Sequence, residues 1–191
     1  MQQYANDFKG KVPRGYYYAP FYQQGHILWA EAFSRYVGRP VEEADTTQLR
    51  DISLARQLRD VATYQCPAFP NENQPLDYVV TSWIAGGNSS GDDGALIPIT
   101  KIARPADTVY VTEANNNRQT EYFAFHDVWD QTQLPAEPDG TPRLNARVLN
   151  DQRHRGRINL LYLDGHVVTK HYREVKRRDF DPMWNDLVRD Q

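Results

Sequence analysis

Ile158-Asn159-Leu160-Leu161-Tyr162-Leu163-Asp164-Gly165-His166-Val167-Val168-Thr169-Lys170-His171-Tyr172 decides the fold. Ile158 to Leu163 is an apolar run, and His166 to Tyr172 is a second run of strand-forming residues. Asp164-Gly165 lies between them. A two-residue Asp-Gly link predicts a type I′ hairpin, because both turn residues must accept positive φ. That register sets Leu163 opposite His166, Tyr162 opposite Val167, Leu161 opposite Val168 and Leu160 opposite Thr169.

Working outward, the pattern adds strands to this hairpin. Thr108 to Glu113 is β-branched and alternating, and Asp77 to Ile84 carries Tyr78, Val79, Val80 and Trp83. Leu96 to Ile102 reads as a short edge strand, with Pro98 interrupting any ladder. Tyr16 to Pro20 is aromatic and extended, and Glu121 to Trp129 is ambiguous.

Helical signals concentrate in the first third. Tyr4 and Ala5 read as the tail of a helix, followed by a turn from Asn6 to Pro13. Leu28, Trp29, Ala32, Phe33 and Tyr36 form one stripe at helical period, which predicts a helix from His26 to Tyr36 with Gly38 as its stop. Asp45 with Gln48 resembles a capping box, and Leu49, Ile52, Ala55 and Leu58 line the helix that follows. Asp181-Pro182 predicts a short last helix carrying Trp184, Leu187 and Val188. The organisation expected is a single α+β domain over 1–191. Residues 1–62 are mainly helical with loops; 63–191 hold the sheet, long loops and the short C-terminal helix.

Composition bounds the function. The chain has 191 residues, enough to bury about 70% of the surface its unfolded form exposes. A hydrophobic share of 40% and a charged share of 25% are ordinary for a globular protein, so whole-chain disorder is excluded. Lys and Arg total 22 against 25 Asp and Glu, a formal net charge of -3, which gives no general grip on nucleic-acid phosphates. Arg173, Lys176, Arg177 and Arg178 are interrupted by Glu174 and Asp179, so no nucleic-acid partner is expected. Neither a signal peptide nor an apolar run of membrane-spanning length stands in the sequence.

Few residues invite chemistry. His154, His166 and His171 crowd near the C-terminus with Asp164. Extended strand would hold His154 and Asp164 on the order of 20 Å apart, and His166 and His171 differ in parity, so a histidine metal site is disfavoured. Asn88, Asp92 and Asp93, in a glycine-rich loop with Ser89, are weak calcium candidates; no glutamate closes an EF-hand, and a solvated loop is favoured over them. Cys66 has no charged sequence neighbour and reads as a small buried hydrophobe. Glu113 ends a strand and suits an acid–base pair whose second member spacing does not identify. No nucleophile elbow, phosphate loop or dinucleotide fingerprint occurs, so no enzyme activity and no cofactor are expected.

His154, nine intervening residues, then Asp164-Gly165 resembles the His-x9-Asp-Gly signature of prepilin-type, pseudopilin-like proteins. Tyr4-Ala5-Asn6-Asp7 with Gly10 and Pro13 is similar to the segment after the family's N-terminal helix. Cys66-Pro67 resembles its mid-chain Cys-Pro, and Asp77 to Trp83 its Ser-Tyr-Gly-x-Asn strand, with Thr81-Ser82 where the family has asparagine. The resemblance implies a pilin-like head: an N-terminal helical part packed on an antiparallel sheet with a C-terminal hairpin. His154, Asp164 and Gly165 would then be structural signature residues. Family members begin with a cleavage site and a hydrophobic helix of roughly 20 residues. This sequence shows neither, which makes it a head from which that helix was removed or a divergent relative. The resemblance further implies a structural assembly subunit of a secretion or pilus-like filament. It implies a periplasmic or cell-surface location, pilin-like or self partners, and membrane contact only through the missing helix. A structural calcium in some relatives points again at Asp92 and Asp93.

Two alternatives remain. Aromatic stretches Tyr16 to Tyr22 and Tyr122 to Trp129 suit an extracellular glycan- or ligand-binding module. A metal-dependent hydrolase would need at least three converging ligands and an open position.

Overall fold

A computed structural model describes residues 1–13, 16–18, 26–40, 57–68, 76–81, 98–115, 127–128, 131–144, 146–149 and 153–181. The hairpin is present: β6 (Arg157–Tyr162) pairs antiparallel with β7 (Val167–His171). Its register differs by one from the two-residue expectation. Leu161 faces Val167, Leu160 faces Val168 and Asn159 faces Thr169. The link is a three-residue loop, Leu163-Asp164-Gly165, closed by Tyr162 N–H to His166 O at 3.0 Å and Gly165 N–H to Tyr162 O at 3.0 Å. Only Gly165 has positive φ, +98°; Asp164 does not, which rules out type I′. Burial decides the difference. Leu163 is fully buried and its N–H donates to Thr108 O at 3.0 Å, whereas the expected turn would place it across from exposed His166. Burying a leucine stabilises by about 1.5–3 kcal/mol, which favours the loop that keeps Leu163 inside.

The remaining strands are β1 (Tyr16–Tyr18), β2 (His26–Leu28), β3 (Tyr78–Thr81), β4 (Val109–Glu113) and β5 (Asp127–Val128). β1 and β2 form a separate antiparallel ribbon. The main sheet has the order β5-β3-β4-β6-β7, antiparallel throughout except for the β3–β5 pair. The mixed α+β class therefore holds.

The helices are short. α1 spans Gln2–Asp7 and α2 spans Trp29–Ser34, continued by a single 3-10 turn to Val37 and stopped at Gly38 with φ +74°. The stripe expected to be helical from His26 thus begins as strand, because His26–Leu28 pair with Tyr16–Tyr18. Ile99–Lys101, expected in an edge strand, form a 3-10 turn instead; Pro98 starts it and Ile99 N–H donates to Gly10 O at 2.7 Å. Of the helix expected after Asp45, only the end is described, with Leu58 fully buried. The C-terminal helix from Pro182 lies outside the described residues.

The sheet separates two cores. On one face Tyr4, Ala5, Trp29, Phe33 and Leu58 pack with Val80, Tyr110 and Leu163. On the other, Val79, Val109, Ile158, Leu160 and Tyr162 pack under Leu149, Tyr172 and Phe180. β3 obeys strand alternation, Val79 to one side and Val80 to the other. β4 breaks it. A bulge between Val109 and Val111 puts both Tyr110 and Val111 against the first core. The Tyr110 hydroxyl donates to the Pro13 carbonyl, tying the N-terminal segment to mid-sheet. No helix among the described residues is long and apolar enough to cross a membrane.

Candidate functional site

Downstream of the bulge, Glu113 shares a face with Tyr78, its direct cross-strand partner, and with Val80 and Val111. It closes β4 with its side chain 3% exposed. A carboxylate so buried needs partners. Oε2 accepts the Asn159 backbone N–H at 3.0 Å, and Asn159 Oδ1 in turn accepts the Thr169 hydroxyl at 2.8 Å. Glu113 is thereby fixed from β6 and β7.

His154 reaches the same place by a different device. His154 and Arg155 sit at φ +48° and +60°, followed by Gly156 at +75°. Three successive left-handed residues reverse the chain just ahead of β6, so the strand that sequence spacing extends back to His154 begins only at Arg157. Histidine tolerates this region better than most residues. Arg153 Nη2 donates to Ala114 O at 2.9 Å, holding the reversal beside the end of β4. His154 Nε2 then lies 2.9 Å from Glu113 Oε1.

Cys66 arrives from the turn after Tyr64. Its backbone N–H donates to Asp77 Oδ2 at 2.5 Å, and Asp77 N–H donates to Tyr64 O at 3.0 Å, locking the turn onto the start of β3. Cys66 Sγ is 3.3 Å from His154 Nε2. The thiol is buried, as expected. It is not without charged neighbours, however: Glu113, Asp77 and Arg153 act on it from other parts of the chain. Burial pushes its pKa up; a backbone N–H at Ala68 opposes this, and the two carboxylates add to the rise. Burial likewise pushes the Tyr78 hydroxyl up to about 12.

Cys66 Sγ, Glu113 Oε1 and His154 Nε2 thus converge, every pair within 4.8 Å. In the sequence each of the three stands apart, 47 and 41 positions from the next. Nothing in the spacing signals that a left-handed reversal precedes β6. The other singled-out residues lie elsewhere. Asp164 Oδ1 accepts from His166 N–H at 3.1 Å and stands 2.6 Å from its Nδ1, a hairpin-tip arrangement. His171 Nδ1 accepts Arg173 N–H at 3.3 Å and caps the turn Tyr172–Glu174. Lys170 pairs with Asp179 and Arg177 with Asp181, so these cations of the C-terminal stretch serve local structure. Asn88, Asp92 and Asp93 lie outside the described residues, as do the aromatic stretches apart from Tyr16–Tyr18 and Asp127–Val128.

Comparison with protein-family models, curated protein sequences and solved structures returned no match.

Proposed function

We propose that this chain is the globular head of a pilin-like assembly subunit, non-catalytic and exported, working by contact with like subunits. The observation that carries the reading is the placement of His154 and Asp164-Gly165 at opposite ends of one strand. β6 occupies six residues, the left-handed reversal lies before it and the three-residue loop after it. The His-x9-Asp-Gly spacing is then the length of one central-sheet strand plus a turn at each end. α1 supports the same reading, since Tyr4 and Ala5 pack into the core on one face of the sheet, as a helix approaching a pilin-like sheet would.

The test is the coding sequence upstream of Met1 together with fractionation of cells expressing the whole gene. A hydrophobic helix of roughly 20 residues behind a prepilin cleavage site, and cross-linked oligomers outside the cytoplasm, are the expected results. A reading frame that opens at Met1, with monomeric protein in the cytoplasm, overturns the proposal.

A further inference from the structure

We propose that Cys66, Glu113 and His154 form a three-ligand site for a divalent transition-metal ion of the zinc class, with solvent at the fourth position. This goes beyond the assembly reading and stands independently of it.

The argument begins with what one ring nitrogen can do. Nε2 carries either one proton or one lone pair. It faces both a thiol at 3.3 Å and a carboxylate at 2.9 Å, so one proton or one lone pair on it serves only one of these two contacts; apart from it, Oε1 has the Asn159 amide at 3.4 Å and the thiol has the Ala68 backbone N–H. A cation between the three atoms satisfies all of them. A thiol–imidazole–carboxylate relay is a poorer fit, because there the carboxylate orients the ring through the nitrogen the thiol does not use. Here both converge on Nε2.

Distances agree with this. Zinc bonds of about 2.3 Å to sulfur and 2.0–2.1 Å to nitrogen or oxygen, at tetrahedral angles, put sulfur and nitrogen about 3.6 Å apart and nitrogen and oxygen about 3.3 Å apart. The observed 3.3 and 2.9 Å require an outward movement of only a few tenths of an ångström. One soft, one borderline and one hard donor suit zinc or cobalt(II) rather than calcium, which takes oxygen alone.

An outer shell is already built. Glu113 is held by Asn159, and Asn159 by Thr169; Cys66 is held at its backbone by Asp77. Such support orients the carboxylate and the thiol-bearing turn in the way outer partners orient metal ligands. The His154 side chain is 30% exposed, which leaves an approach for the ion and for the solvent ligand. The three donors come from the turn after Tyr64, the end of β4 and the reversal before β6, so one ion would staple three distant segments.

The experiment uses the purified, reduced, chelator-stripped chain titrated with cobalt(II), then zinc. One equivalent of cobalt with a thiolate-to-cobalt charge-transfer band, displaced by zinc, and a higher melting temperature with zinc are expected. Cys66→Ser abolishes the band. His154→Gln weakens zinc by more than the roughly 10- to 100-fold that follows loss of an outer-shell partner. Circular dichroism confirms folding of each variant. Absence of a thiolate band in the native chain, or unchanged affinity in folded His154→Gln, overturns the site.

Discussion

A Cβ placed on Gly156 would stand 3.0 Å from Nε2 of His171, across the start of the β6–β7 pair. Gly156 also has φ +75°, so an alanine there is penalised twice. Gly156→Ala is expected to cost about 1–3 kcal/mol, lowering the melting temperature by several degrees. Gly38 has nearly the same φ, +74°, with no atom within 4 Å of its would-be Cβ. Gly38→Ala therefore measures the conformational part alone. Equal losses in the two variants would refute the close approach to His171.

Gly165→Val tests the hairpin loop. No atom lies within 4 Å of the Cβ a side chain would add, and the main cost is that of a β-branched residue at φ +98°. A loss of about 1–3 kcal/mol is expected by denaturant unfolding, with Gly165→Asn distinctly milder. Val and Asn variants of equal stability would rule out the left-handed loop position.

Trp29 is 3% exposed, with its ring edge-to-face on Tyr64 at 5.5 Å and Phe33 at 6.3 Å. Trp29→Ala is expected to cost about 3–5 kcal/mol in equilibrium unfolding. A near-zero change would remove it from the core under α2.

Asp164 supplies a pH dependence. The His166 backbone N–H, then its ring, hold the Asp164 carboxyl below the ordinary 3.8. The native state thus favours the charged form more than the unfolded chain does. The stabilisation is complete above 3.8 and disappears as pH falls through the lower native value. The melting-temperature gap between the native chain and Asp164→Asn should close as pH falls below about 4. A gap that widens in acid would reverse the sign and refute the assignment.

Sequence alone made much of the sheet legible. β3, β4, β6 and β7 lie where β-branched and aromatic runs predict them, and the stop at Gly38 is where a left-handed glycine belongs. What escaped was set by contacts distant along the chain. His26–Leu28 left the helix because Tyr16–Tyr18 pair with them. The hairpin gained a loop residue because Leu163 was worth more inside than at the tip. For the site, each of Cys66, Glu113 and His154 was individually visible. Their convergence depended on three positive φ values in a row, and two of those belong to non-glycine residues that no local pattern marks.

The extra residue in β4 has a consequence for how this protein tolerates insertions and deletions. Tyr110 and Val111 occupy the same layer, so the bulge acts as a phase shifter: every side chain beyond it points opposite to the way uninterrupted pleating from Val109 would send it. Removing Tyr110 or Val111 would leave a tidier strand with Glu113 still opposite Asn159 and in its present layer, whereas regular pleating of the unshortened strand would swing the carboxylate to the other one. With the residue count this strand has, the irregularity in the middle of the sheet is what keeps Glu113 aimed at Cys66 and His154.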